Sequence, residues 1–176
     1  PGLTYIPNYL SISDQSEIIQ EIESGVWSNE LKRRVQHYGY KYDYTNRSIN
    51  AEMAVGDIPV RCKLLAYKLV QDNIFTKVPD QLIINEYQPG QGIAPHIDCV
   101  PCFNDIIVSI SLLDEYPMTF SNENEKIDLT LEVGSLVSLT GDARYKWRHS
   151  IASRKSDNKR LRGRRVSLTF RNVILS

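Results

Sequence analysis

From Asp80 onward the sequence breaks into short runs of strand-forming residues: Leu82–Gln88, Asp105–Leu113, Met118–Phe120, Ile127–Leu131, Ser135–Thr140, Lys146–Ala152 and Arg164–Ile174. Turn-forming residues separate them at Pro89-Gly90, at Asn122 to Asn124 and at Gly134. Seven short runs punctuated in this way fit antiparallel sheets, as a barrel or a jelly roll, better than alternating βαβ units. The pattern predicts a mainly β protein with flanking helices (α+β), in which two antiparallel sheets close as a cupin-like jelly roll. The helices belong to the first half. Ser13 to Ser24 places Ile18, Ile19 and Ile22 on one face behind a cap at Ser11 or Ser13, and the charged face Asp14, Glu17 and Glu21 is expected to meet only water. Pro59 to Asn73 sets Cys62, Leu65, Ala66 and Leu69 at i, i+3, i+4 and i+7, with Pro59 in the first turn. Between them, Arg33 to Tyr44 (RRVQHYGYKYDY) alternates like a hairpin strand. With 176 residues and 41% hydrophobic content, a single domain 1–176 is expected, residues 1–79 buttressing a β core at 80–176.

Strand alternation sorts chemistry onto one side. Asn85 and Tyr87 share a face, with Leu82, Ile84 and Glu86 on the other; Arg165, Ser167, Thr169 and Arg171 share a face, with Val166, Leu168 and Phe170 opposite. His96 and Asp98, two apart in an extended stretch, can turn towards one ion, and His149 would complete a set of two imidazoles and one carboxylate. Such a set leaves octahedral positions open, as an oxygen-activating Fe(II) site requires, whereas zinc more often takes four protein ligands or three and a water. Arg165 and Arg171 stand about 20 Å apart along their strand. As long side chains they could lean together and hold the two ends of a small dicarboxylate.

The joint order of Asn85-x-Tyr87, Gly90, Gly92, His96-x-Asp98, Gly141 with Arg144 before His149, and RRVSLTFR from Arg164 to Arg171 resembles the AlkB family of Fe(II)- and 2-oxoglutarate-dependent dioxygenases. The likeness covers the chain from Asp80 to its end, with weaker support across Arg33–Tyr44. It implies a double-stranded β-helix core. It also implies His96, Asp98 and His149 as iron ligands and Asn85, Tyr87, Arg165, Ser167 and Arg171 as contacts of the co-substrate 2-oxoglutarate, with dioxygen as oxidant and no catalytic residue beyond the metal centre. Within the family the chain is most similar to the dioxygenase domain of the eukaryotic branch that modifies tRNA wobble uridines. Two departures from the bacterial alkylation-repair pattern agree: Val100 stands where those enzymes carry an acid, and Arg144 precedes His149 by five residues instead of four. That branch carries further RNA-recognition and methyltransferase domains, and neither fits in this chain.

The resemblance makes a nucleic acid the expected partner, RNA or tRNA ahead of DNA, and hydroxylation of a wobble-uridine side chain the expected reaction. Oxidative N-demethylation of alkylated DNA or RNA is the alternative enzyme, a silent RNA-binding module the alternative class, and a protein or lipid oxygenase a further possibility. Formal charge balances at 21 basic and 21 acidic residues, so nucleic-acid binding must be local. Two basic segments offer it. Arg33 and Arg34 stand at the entrance of the aromatic stretch and Tyr38, Tyr40, Tyr42 and Tyr44 alternate along it; the resemblance implies that it is a nucleotide lid, in which at least one of these tyrosines is expected to contact a base. Arg160 and Arg162 lie in the run Arg154–Arg165, expected as a loop near the site mouth. Three cysteines, an odd number, favour a reducing compartment over a disulfide framework, and Cys99-x-x-Cys102 alone is weak as a zinc motif; it is expected to shape the substrate entrance. No apolar run is long enough to span a bilayer and no secretion signal opens the chain, which predicts a soluble, intracellular monomer, cytoplasmic or nuclear.

Overall fold

The computed structural model describes residues 1–175; Ser176, the last residue of the expected core segment, lies outside the described residues. In chain order the elements are β1 (Leu3–Ile6), α1 (Ile12–Glu23), β2 (Val35–Tyr38), α2 (Val60–Gln71), β3 (Gln81–Tyr87), β4 (Ile93–His96), β5 (Ile107–Leu112), β6 (Tyr116–Ser121), β7 (Lys126–Leu131), β8 (Leu136–Leu139), α3 (Gly141–Tyr145), β9 (Arg148–Ile151), β10 (Ser156–Asp157), β11 (Arg160–Leu161) and β12 (Arg165–Arg171). A six-stranded sheet in the order β1-β8-β5-β12-β3-β2 faces a four-stranded sheet in the order β4-β9-β6-β7, and every strand pair is antiparallel. This is the expected jelly roll. Among the described residues no helix is long and apolar enough to cross a membrane.

Alternation on the large sheet divides the interior in two. Its outer face, with Leu82, Ile84, Val108, Ile110, Leu112, Val166, Leu168 and Phe170, packs against Ile18 and Ile22 of α1 and Leu65, Ala66 and Leu69 of α2. Its inner face meets the small sheet through Tyr87, Ile107, Tyr116, Met118, Phe120 and Ile151. Both helices form where expected. Ser11 is the cap of α1, its hydroxyl accepting from the Asp14 amide at 3.1 Å. Pro59 sits at the N-cap of α2 and supplies no side-chain bond; the Glu21 carboxylate does so from α1, accepting from the Arg61 amide at 2.8 Å and the Cys62 amide at 3.1 Å. Glu17 pairs with Arg61 at 3.0 Å. The expectation that Glu17 and Glu21 meet only water is therefore corrected.

Other expectations change as well. Only Val35–Tyr38 of the aromatic stretch is strand, paired with β3 at the edge of the large sheet. The alternation stops at Gly39, which turns the chain with φ +80° in a space where a Cβ would strike the Asp80 carbonyl. Beyond it the chain is irregular, held by isolated bridges Tyr40 to Ala54 and Asp43 to Ser48. The basic run 154–165, expected as a loop, contains the hairpin β10-β11. Asn158 and Lys159 at its tip both have positive φ, the conformation that a two-residue turn between twisted strands demands. Cys99 and Cys102 are joined as a disulfide and Cys62 is free and buried, which corrects the expectation against disulfides for this pair and leaves it no thiolates for zinc.

The cross-helix cap yields a test. Glu21→Ala strips the partner from two amides of the first turn of α2 and should destabilise the protein by about 1 kcal/mol. For a chain of this size that lowers the melting temperature by about 2–4 °C. An unchanged thermal midpoint would show that water replaces the carboxylate without cost.

Candidate metal centre and co-substrate cavity

The β4-β9 pairing builds the centre. It sets His96 directly opposite His149, with ring centroids 4.3 Å apart. Gly92, just before β4, lies against the Ile151 carbonyl where any Cβ would collide, which is why glycine occupies the entry to this pairing. Asp98 follows β4 by two residues and brings Oδ1 to 3.2 Å from His96 Nε2 and 3.3 Å from His149 Nε2. One donor atom from each residue lies within 4.8 Å of the others. The His96 Nδ1 sits 2.8 Å from the Ala94 carbonyl, which can only accept; Nδ1 therefore carries the proton and the Nε2 lone pair faces the cluster. Burial raises the Asp98 carboxyl, but Arg171 and the two histidines outweigh it and hold the group well below the ordinary carboxylate value. The donor set is two imidazoles and one ionised carboxylate, which fits a divalent metal with open positions.

Two cavities meet at this cluster. The inner one lies between the sheets and is lined by Asn85, Tyr87, Arg165, Ser167 and Arg171 together with His96, Asp98 and His149. All five expected co-substrate residues are thus brought to one wall, and β12 registers Ser167 opposite Asn85 and Arg165 opposite Tyr87. Arg165 is 1% exposed. Its guanidinium lies 5.2 Å from the Tyr87 ring and 5.9 Å from the Tyr116 ring, and Nη2 donates to Ser111 Oγ at 2.8 Å. Nε has no partner, and no carboxylate pairs with the group among the described residues. Burial pulls its pKa below the ordinary value. A cation held out of water without a counter-ion costs several kcal/mol, and an anionic ligand entering the inner cavity would offset that cost. Arg165 and Arg171 both line this inner cavity. Arg171 lies at the metal end, its Nε 3.1 Å from Asp98 Oδ2 and its guanidinium 4.4 Å from the Phe103 ring.

The outer cavity, about 420 Å³, shares Asn85, Ile93, His96, Asp98 and Arg171 with the inner one and adds Arg33, Tyr42, Tyr44, Arg47 and Phe103. Arg33 donates from Nε to Asn85 Oδ1 at 3.1 Å, and Arg47 donates from Nη2 to the Ile97 carbonyl at 3.0 Å. Neither cation has a carboxylate partner among the described residues. Tyr42 and Tyr44 meet edge to face at 5.2 Å, and Tyr42 packs 5.8 Å from Phe103.

Of the residues expected to touch substrate, Arg33, Tyr42 and Tyr44 line this cavity. Arg34 turns to the opposite face of the sheet, bonding Glu86 at 2.7 and 2.8 Å and stacking 4.8 Å over Trp27. Tyr38 also faces outward, its hydroxyl donating to Gln36 Oε1 at 2.6 Å. Tyr40 packs on the inner core and offers its carbonyl to Gln81. Arg160 binds Asp114 at 2.6 Å, and the Arg162 side chain is wholly buried against Asp157 and the Ala152 carbonyl. These placements correct the expected roles of Arg34, Tyr38, Tyr40, Arg160 and Arg162. Tyr42 and Tyr44, the later members of the alternating tyrosine run, are the ones brought to the cavity, whereas Arg47 was missed, since it lies beyond that run.

His37 stands apart from the metal cluster. Both its ring nitrogens are buried without partners, and Tyr44 lies edge-on at 5.8 Å. Burial, aided by Lys41, pushes its pKa down from 6.5 to about 4. A base held neutral in this way protonates more readily in the unfolded chain, so its contribution to stability is complete above pH 6.5 and is lost as pH falls towards 4. His37→Phe should flatten the fall of denaturation midpoint across that interval. The same slope in both proteins would assign the linkage to other groups.

The family profile described as the 2OG-Fe(II) oxygenase superfamily matches residues 2–171. The tRNA (carboxymethyluridine(34)-5-O)-methyltransferase alkbh8 of Xenopus tropicalis is 35% identical over 166 residues, covering 89% of this chain and 26% of that protein. The alkylated DNA repair protein ALKBH8 homolog of Arabidopsis thaliana is 30% identical, covering 98% of this chain and 58% of that protein. The DNA N6-methyl adenine demethylase of Caenorhabditis elegans is 28% identical, covering 98% and 60%. The chain thus spans from about a quarter to three-fifths of these relatives' length. Among solved structures, OsALKBH1 superposes with a TM-score of 0.76 at 21% identity, covering 98% of this chain and 97% of that one.

Proposed function

The chain belongs to the 2OG-Fe(II) oxygenase superfamily, which makes it a 2-oxoglutarate-dependent dioxygenase using Fe(II), 2-oxoglutarate and dioxygen, and we propose that it oxidises a substituent on a nucleic-acid base, with tRNA wobble uridine as the substrate. In this reading His96, Asp98 and His149 hold the iron. Asn85, Tyr87, Arg165, Ser167 and Arg171 orient 2-oxoglutarate. The iron, 2-oxoglutarate and dioxygen would together supply the oxidising chemistry, insertion of one oxygen atom into a C–H bond coupled to conversion of 2-oxoglutarate to succinate and carbon dioxide. The chain's own contribution is to orient the partners and to exclude competing reactions.

The observation that carries the substrate reading is the outer cavity. It adjoins the metal cluster and combines aromatic rings, Tyr42, Tyr44 and Phe103, with the cations Arg33 and Arg47. Rings stack on an unpaired or flipped base, and guanidinium groups without acidic partners suit its phosphates. Similarity to the wobble-uridine methyltransferases favours RNA. Similarity to the worm DNA demethylase favours a second reading, N-demethylation. The two differ in product. A hydroxylated carbon bonded to a base nitrogen collapses and releases formaldehyde, whereas an alcohol on a carbon-linked uridine side chain persists. Mass spectrometry of tRNA nucleosides after incubation with Fe(II) and 2-oxoglutarate should therefore reveal a stable gain of one oxygen; formaldehyde without that product would select demethylation. Absence of turnover on any nucleic acid would end both readings.

Two further outcomes are expected. Arg165→Ala should raise the apparent KM for 2-oxoglutarate by about 100-fold, the scale of losing one partner of a buried charge pair, while metal uptake persists. A KM equal to that of the wild type would remove Arg165 from that role. Arg33→Ala with Arg47→Ala should lower the log–log salt slope of RNA binding by roughly 0.7 for each phosphate no longer neutralised. Arg160→Ala should leave the slope unchanged; the reverse pattern would move the RNA path to the β10-β11 hairpin.

A further inference from the structure

Arg144 is a buried cation that lines neither cavity. It is 2% exposed and has no carboxylate partner among the described residues. Its donors go instead to backbone carbonyls of a single loop. Nη1 reaches the Asp98 carbonyl at 2.7 Å, Nη2 the Cys99 carbonyl at 3.3 Å and the Phe103 carbonyl at 3.2 Å, and Nε the Asn104 carbonyl at 3.3 Å. Burial lowers the Arg144 pKa, with Asp98 opposing it. A guanidinium suits this task because its donors form a rigid planar fork that can serve several acceptors at once.

The loop and the helix lead to different members of the metal cluster. Asp98 is the first residue of the loop, while α3, which carries Arg144, runs through Lys146 and Trp147 into β9 and His149. Sheet pairing fixes His96 against His149 but ends at His96, so it does not reach Asp98. The loop also carries Phe103, on which the Arg171 guanidinium rests.

We propose that Arg144 is a positioning residue for the metal centre: by gathering the carbonyls of the Asp98–Asn104 loop onto α3, it fixes the Asp98 carboxylate relative to His149 and seats Phe103 beneath Arg171. This rests on the reading of His96, Asp98 and His149 as metal ligands. Arg144 touches neither the ligand atoms nor the co-substrate residues, and acts through the backbone. Orientation of this kind is a strong lever, since losing an outer support of a ligand commonly weakens metal affinity by about 10–100-fold.

Co(II) titration of the metal-free protein tests it. Tyr145→Phe is the control: it removes the bond from Tyr145 to Asp105 at 2.7 Å, on the same helix but outside the set of carbonyls. Arg144→Gln should bind Co(II) at least roughly tenfold more weakly and alter the visible d–d spectrum of the bound ion, Arg144→Lys should fall between it and the wild type, and Tyr145→Phe should match the wild type. Circular dichroism and thermal melting of the metal-free variants establish that they are folded. A folded Arg144 variant with wild-type affinity and spectrum overturns the proposal. Failure of both Arg144 variants to fold without metal also overturns it, because the residue then serves the core. Absence of Co(II) binding by the wild type itself would instead refute the metal reading on which the proposal stands.

Discussion

Strand β12 is gripped along its length by β3 on one side and β5 on the other, and this double pairing is the constraint on which the site depends. Its register runs from Arg165 opposite Tyr87 to Arg171 opposite Gln81, and from Val166 opposite Leu112 to Phe170 opposite Val108. Side chains alternate with a period of two, so a slip of one residue would drive Arg165, Ser167 and Arg171 into the dry layer under the helices. Val166, Leu168 and Phe170 prevent it. Each is fully buried, and burying such a side chain is worth about 1.5–3 kcal/mol. The apolar layer against α1 and α2 therefore holds the polar wall of the inner cavity in place.

Arginine is used in three physically different ways around that wall. Arg34 and Arg164 both bond Glu86, a carboxylate buried under the sheet and held below its ordinary pKa first by Arg34 and then, against burial, by Arg164. Such a pair largely neutralises itself and presents little charge to a ligand. Arg144 is satisfied by carbonyls, so it organises backbone without cancelling charge. Arg165 keeps an unpartnered donor in a dry cavity. Of the three, the last leaves an uncancelled charge with a free donor facing a cavity, where an anion could meet it, which is why sequence position, shared by Arg164 and Arg165, says so little about role.

The legibility of the sequence follows the same division. Strand periodicity, the His96-x-Asp98 spacing and the alternation on β12 were readable because they are local and periodic, and the jelly roll, the His-Asp-His cluster and the polar face of β12 follow from them. Glu21 was not readable as a cap, since its partner amides lie 40 residues away on another helix. The basic run 154–165 misled for a related reason. Its charge density suggests a phosphate path, but Asp157 within the run and Asp114 outside it absorb Arg154, Arg160 and Arg162. Asp157 lies within the run and is visible to a count of local charge, but the pairing of Arg160 with Asp114, 46 residues away, is not.

The outer cavity lies at the limit of what such reading reaches. Its inner wall is strand, with Asn85 and His96, and inherits the register of the sheets. Its rim, with Tyr42, Tyr44 and Arg47, is irregular chain beyond Gly39, tied to the core by the Arg47 bond to the Ile97 carbonyl and by the packing of Tyr42 on Phe103. Rim residues owe their positions to individual side-chain and carbonyl contacts instead of a ladder, so each can change without disturbing the cluster beneath. A centre set by two paired sheets and a rim set by separate contacts let one scaffold keep its oxidative chemistry while the substrate it admits varies. That separation is why the reaction class follows from the family that the whole length of the chain matches, whereas the proposed preference for a base rests on a few residues at the mouth.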